Sequence, residues 1–81
     1  MLNFKSSLAV EISKQLMTDE RTKDGAVEVM DDNGVVSLTG TIPSGEARSA
    51  AEEIARDHDG TFSVINDLKI KKSSRGLWPF S

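Results

Sequence analysis

Eighty-one residues without a cysteine make one domain with a small core, and they exclude disulfides and thiolate metal sites. A net charge of −3 disfavours general nucleic-acid binding, and no apolar run approaches the ~18–20 residues of a transmembrane helix. The charge is uneven: Lys69, Lys71, Lys72 and Arg75 cluster near the end, and setting those four aside leaves −7 on the remainder.

Met1–Met17 carries Lys5, Glu11 and Lys14 among its apolar positions, so it does not read as a secretory signal. The expected compartment is the cytoplasm for the chain as it stands, and the periplasm or cell envelope for a piece of an exported protein. From about Phe4 to Thr18, Phe4, Leu8, Ile12 and Leu16 recur every fourth residue, which predicts a helix with one buried face. Ser6 or Ser7 could cap it. The polar run from Thr18 to Gly25 predicts a loop.

Ala26-Val27-Glu28-Val29-Met30 alternates, and Asn33-Gly34 is a favoured hairpin turn pair because both residues tolerate positive φ. Val35-Val36-Ser37-Leu38-Thr39-Gly40-Thr41-Ile42 follows as a second strand. Val27, Val29, Val36, Leu38 and Ile42 are the expected sheet core. Pro43-Ser44-Gly45-Glu46 opens a second helix, with Ser44 as N-cap and Glu46 at the positive end of the dipole. Its apolar stripe is Ala47, Ala50, Ala51, Ile54 and Ala55. Arg48/Glu52 and Glu52/Arg56 are expected to pair on its wet side. Gly60 ends it, and a last strand is predicted from about Phe62 to Ile70, with Val64, Asn66, Leu68 and Ile70 inward. The fold class is therefore α+β, a two-layer α/β sandwich in the order αββαβ. Two helices cover one face of a three-stranded mixed sheet, with a right-handed strand–helix–strand crossover.

This order and spacing resemble the BON domain (bacterial OsmY and nodulation). The residues that carry the resemblance are Leu8/Ile12/Leu16, Val27-Glu28-Val29, Gly34-Val35-Val36-Ser37-Leu38-Thr39-Gly40, the alanines from Ala47 to Ala55, and Gly60-Thr61-Phe62-Ser63-Val64-Ile65-Asn66-Asp67-Leu68-Lys69-Ile70. They cover roughly residues 7–70; the domain is assigned to 1–71 and a basic, aromatic tail to 72–81. Thr61 stands where the pattern usually has Val, so the start of the last strand is expected to pack differently. The resemblance implies a non-enzymatic adhesion module of bacterial envelope and stress proteins. Phospholipid attachment is the usual proposal for such modules, with protein or potassium binding in some members.

Catalytic, cofactor and metal sites are not expected. His58 is the sole histidine, and between Asp57 and Asp59 it reads as a helix-end residue favoured by the dipole. Asp31-Asp32-Asn33-Gly34 fails as a calcium loop, because setting Gly34 at the sixth position puts Val29 first and Gly40 twelfth. Gly40 and Gly45 have phosphate-loop spacing, but Glu46 and Ala47 replace the required Lys and Ser/Thr. Asn66 is expected to tie the sheet to a neighbouring loop, since a buried amide left unbonded costs about 1–3 kcal/mol. Gly40 is expected to lie close beneath the alanine helix.

The candidate lipid or partner contact is Lys69, Lys71, Lys72, Arg75, Leu77, Trp78 and Phe80. Here cations could meet anionic headgroups while the rings enter the interface. The same strip could instead dock on another protein or a second copy in a homo-oligomer, or lie on its own domain. Met30, Val35 and Ile65 form the candidate outer-sheet interface. Gly34, Leu38, Gly40, Gly60 and Asn66 are read as structural. The expected function is a peripheral phospholipid-contacting envelope module, the alternative a protein-interaction or self-association module, and a third reading ion (potassium) binding through backbone carbonyls.

Overall fold

The computed structural model describes residues 7–71. Its elements are α1 (Ser7–Thr18), β1 (Ala26–Asp32), β2 (Val35–Ile42), α2 (Gly45–Asp57) and β3 (Ser63–Ile70). The sheet runs β1-β2-β3, with β1 and β2 antiparallel and β2 and β3 parallel. The αββαβ order and the mixed sheet are as the spacing predicts. Each helix covers its own edge of the sheet: α1 packs on β1 and α2 on β3.

The core joins Ala9, Ile12 and Leu16 from α1 to Val29, Val36, Leu38 and Ile42 from the hairpin. Ala47, Ala51, Ile54 and Ala55 of α2 and Leu68 of β3 complete it. Burying each of the larger side chains contributes about 1.5–3 kcal/mol. Alanines on α2 bring that helix close enough for Ile54 to supply most of its bulk. Val27, expected in the core, is only partly buried because it sits on the outermost strand beside Gly40. Ile70, expected inward, remains 49 % exposed; it faces the start of α2, where Gly45 has no side chain to cover it.

The hairpin turn has Asn33 at φ 54° and Gly34 at φ 92°. Asp31 Oδ1 accepts a hydrogen bond from the Gly34 amide at 2.8 Å, so the acidic turn is braced by its own carboxylate. Gly40 is required for a different reason from the one expected. It is exposed and has φ 113°, and a Cβ there would lie 2.0 Å from the Ala26 carbonyl oxygen of β1, not against α2. Ser44 caps α2, its Oγ accepting from the Ala47 amide at 3.1 Å.

β3 begins one residue later than the pattern predicts. The Phe62 and Ser63 amides both donate to the Gly34 carbonyl, at 2.7 and 3.2 Å, which leaves the Phe62 ring 83 % exposed. Thr61, the departure from the usual Val, uses its hydroxyl to bond the Ala55 carbonyl at 2.7 Å. It thereby ties the turn to the end of α2.

Candidate functional site

Strand alternation divides the sheet into a face under the helices and a face turned away from them. On the outer face, register stacks the strands in rows. Met30, Ser37 and Ile65 form one row, and Asp32, Val35 and Ser63 the next towards the turn. Glu28, Thr39 and Asp67 lie on the other side, and Ala26, Thr41 and Lys69 beyond them. Met30 and Ile65 are 60 % and 53 % exposed, and Val35 is half-buried. The three predicted interface residues are thus brought together, with carboxylates on both flanks.

Of the predicted basic and aromatic set, only Lys69 and Lys71 fall within the described residues; Lys72, Arg75, Leu77, Trp78 and Phe80 lie outside them. Lys69 is exposed on β3, its Nζ 4.0 Å from Asp67 Oδ1. It lies four residues along β3 from Ile65, roughly 13 Å away. The Lys71 amide donates to the Ile42 carbonyl at 2.8 Å and extends the β2–β3 ladder. Over residues 7–71, seven cations face thirteen carboxylates, a net charge of −6.

The free edge of β3 is closed by side chains. Arg48 of α2 donates through Nε to the Leu68 carbonyl at 3.1 Å and through Nη2 to the Asn66 carbonyl at 3.3 Å. The Asn66 amide nitrogen donates to the Arg48 carbonyl at 3.0 Å and to Glu52 Oε1 at 3.2 Å. Asn66 Oδ1 accepts from the Leu68 amide at 3.2 Å. Asn66 therefore ties the sheet to a helix, where a loop was expected. Arg48 spends its guanidinium on β3 and not on Glu52, while the expected Arg56–Glu52 pair does form. The reciprocal clasp was missed in the sequence because Arg48 and Asn66 are 18 residues apart. The inward parity of a polar residue in β3 was the one signal that pointed to half of it.

His58 stands at the C-cap of α2, its amide donating to the Ala55 carbonyl at 3.3 Å. Its Nε2 is 3.4 Å from Glu11 Oε1, so the ring joins the end of α2 to α1. Glu11 was not an expected partner, and no nucleophilic side chain is hydrogen-bonded to the ring among the described residues. No group of three or more His, Cys, Asp or Glu side chains is placed to hold a metal ion among them either.

The loop from Asp19 to Gly25 has two anchors. Thr22 is buried, and its hydroxyl donates to the Leu16 carbonyl at 2.6 Å. Asp19 accepts from Arg21 through its side chain and its amide, at 3.1 and 2.8 Å, and these bonds hold the carboxyl below its ordinary range. Arg21 Nη1 also lies 3.5 Å from Glu53 Oε1 of α2.

The mixed sheet, the two helices on one side and the glycine-bounded second strand define a BON domain. The family model of that domain matches residues 5–72, and the chain belongs to the family. Among characterised proteins it is similar to the Osmotically-inducible protein Y of Escherichia coli (strain K12), with 43 % identity over 61 residues. The match takes in 75 % of this chain but only 30 % of that protein, so the chain spans less than a third of its relative's length.

Proposed function

We propose that this chain is a non-catalytic binding module of the envelope-associated, osmotic-stress type, and that it binds protein through the outer face of its sheet. Membership of the BON family and the name of its relative support the setting. The observation that carries the surface is the row Met30–Ser37–Ile65, whose two apolar side chains stay more than half exposed on a face that neither helix covers. The net charge of −6 over residues 7–71 works against adsorption on an anionic bilayer, which favours a protein partner for this face.

Analytical ultracentrifugation of the full chain beside Ile65→Asp tests the reading for a second copy as partner. A mass that rises with concentration in the parent and stays monomeric in the variant supports it. A monomer throughout removes self-association and confines the face to a foreign protein.

Anionic phospholipid is the second reading, favoured by exposed Lys69 and Lys71 at the end of β3, where the chain continues into Lys72, Arg75, Leu77, Trp78 and Phe80. Vesicle co-sedimentation at low salt, with and without anionic lipid, tests it. Absence of lipid-dependent pelleting ends that reading without touching the first.

A further inference from the structure

We propose that the open edge of β1, together with the groove beneath α1, pairs with an extended peptide strand that alternates cationic and apolar side chains. The surface is distinct from the outer sheet face, and the proposal does not depend on that face being used.

The hairpin defines which main-chain groups the edge offers. A two-residue turn with both residues at positive φ is closed by a hydrogen-bonded pair, here Asp32 and Val35. Bonded and non-bonded pairs alternate along an antiparallel ladder, so Met30/Ser37 and Glu28/Thr39 are bonded in turn. The N–H and C=O groups of Val27 and Val29 therefore point away from β2, towards the edge. Among the described residues no side chain bonds them, whereas three of the corresponding groups on β3 are held by Arg48 and Asn66. At Val27 and Val29 the edge carries no bulge, proline or clasp, and such a stretch is a template for a further strand.

Beside this edge lies a groove of about 250 Å³ lined by Ser13, Leu16, Met17, Thr22, Gly25 and Val27. It has a place for a side chain and two features that suit an occupant. Met17 is 68 % exposed at its rim. Ser13 Oγ is buried without a hydrogen-bond partner.

The occupant's chemistry follows from strand alternation. An added strand would set its side chains on one face against Glu28, Met30 and Asp32, where two carboxylates flank one apolar group. Those on the other face would meet Val27, the buried Val29 and the groove under α1, with the Asp31 carboxylate at the turn end engaged by the Gly34 amide. Cations on the first set and apolar groups on the second match both. A second copy of β1 does not: β1 carries Glu28, Asp31 and Asp32 and no cation, so two such strands would bring like charges together.

The probe is the synthetic peptide Lys-Val-Lys-Leu-Lys-Val, titrated into the full chain and followed by amide NMR. The expected result is saturable binding, with the Val27 and Val29 amides shifted and their hydrogen exchange slowed. Two isomers of the probe, N-methylated at the odd or at the even positions, separate strand pairing from charge attraction. One keeps the hydrogen-bonding edge it turns to β1 and the other loses it, so their affinities should differ by about tenfold or more. Met17→Gln, a neutral change at an exposed position, should weaken the parent probe by loss of apolar contact without unfolding the domain. Each of four results overturns the proposal: no saturable binding, equal binding of the two isomers, equal binding of a probe with Asp in place of Lys, or shifts centred on Ser37 and Ile65 with Val27 and Val29 unmoved.

Discussion

The two edges of the sheet are built from strands of nearly equal length, yet only one is closed. On β3, Arg48 reaches over from α2 to two carbonyls, while Asn66 bonds back to α2 and along its own strand. On β1, α1 packs on the inward face, and the main chain of Val27 and Val29 is left without a clasp among the described residues. The difference lies in which side chains the covering helix projects past the strand. α2 carries an arginine one turn from its start, whereas α1 carries Ser13, Leu16 and Met17 on the side of its strand. A small module can thus guard one edge with a single cation–amide pair and keep the other available for pairing.

The largest expected effect breaks the comparison from the β1 side. Gly40→Ala places a Cβ 2.0 Å from the Ala26 carbonyl oxygen at φ 113°, which the hairpin can relieve only by parting β1 from β2. Backbone strain alone costs about 1–3 kcal/mol, and the contact adds to it, so a loss of about 3 kcal/mol or more is expected in urea denaturation. A loss below about 1 kcal/mol would mean that β1 shifts freely, and the open edge would then be a mobile one.

Next comes the β3 clasp. Asn66→Ala removes a donor to the Arg48 carbonyl and Glu52 and an acceptor for the Leu68 amide, and should cost about 1–2 kcal/mol. Arg48→Ala should cost less, about 1 kcal/mol, because its partners are partly exposed. It should also uncover the β3 edge and make sedimentation concentration-dependent. If the two act as one unit, the double variant should fall short of additivity by about 0.5 kcal/mol or more. Additive losses would show two separate contacts and remove the idea of a clasp.

How far these features were legible in the sequence depends on the range of the interaction that makes them. The helix period through Leu8, Ile12 and Leu16, the Asn33-Gly34 turn, the Ser44 cap and the alternation of β2 are local, and each lies where its pattern puts it. Outer-face residues Met30, Val35 and Ile65 were also legible, since parity decides the face and register follows from the turn. What escaped is long-range and polar. Arg48 had a plausible local partner in Glu52, and only the packing of α2 on β3 shows that carbonyls 18 and 20 residues away outcompete it. Likewise Glu11 beside His58 depends on how α1 meets α2, and Thr22 on the path of a loop that reads as merely polar.

The smallest effect concerns the loop that leads into β1. Arg21 holds Asp19 through a side-chain hydrogen bond first and a backbone hydrogen bond second, so the Asp19 carboxyl is more acidic in the folded chain than in the unfolded one. An Asp with a lowered folded pKa contributes stability that is present above its unfolded pKa and is lost as pH falls through the folded value. The pair therefore contributes at neutral pH and fades on acidification below the usual carboxylate range, near pH 4. Because Arg21 is exposed and Asp19 partly so, the fading should show in the loop before it shows in global unfolding. Carboxyl NMR titration should find Asp19 titrating below its ordinary value in the parent and at that value in Arg21→Ala. In that variant, amide exchange should quicken at Gly25, bonded to the Thr22 carbonyl, and at Glu28, paired with Thr39, while Leu68, held by Asn66 on the far edge, is unchanged. Equal quickening at both strands would show that the two edges rise and fall together, and the loop would then have no separate hold on β1.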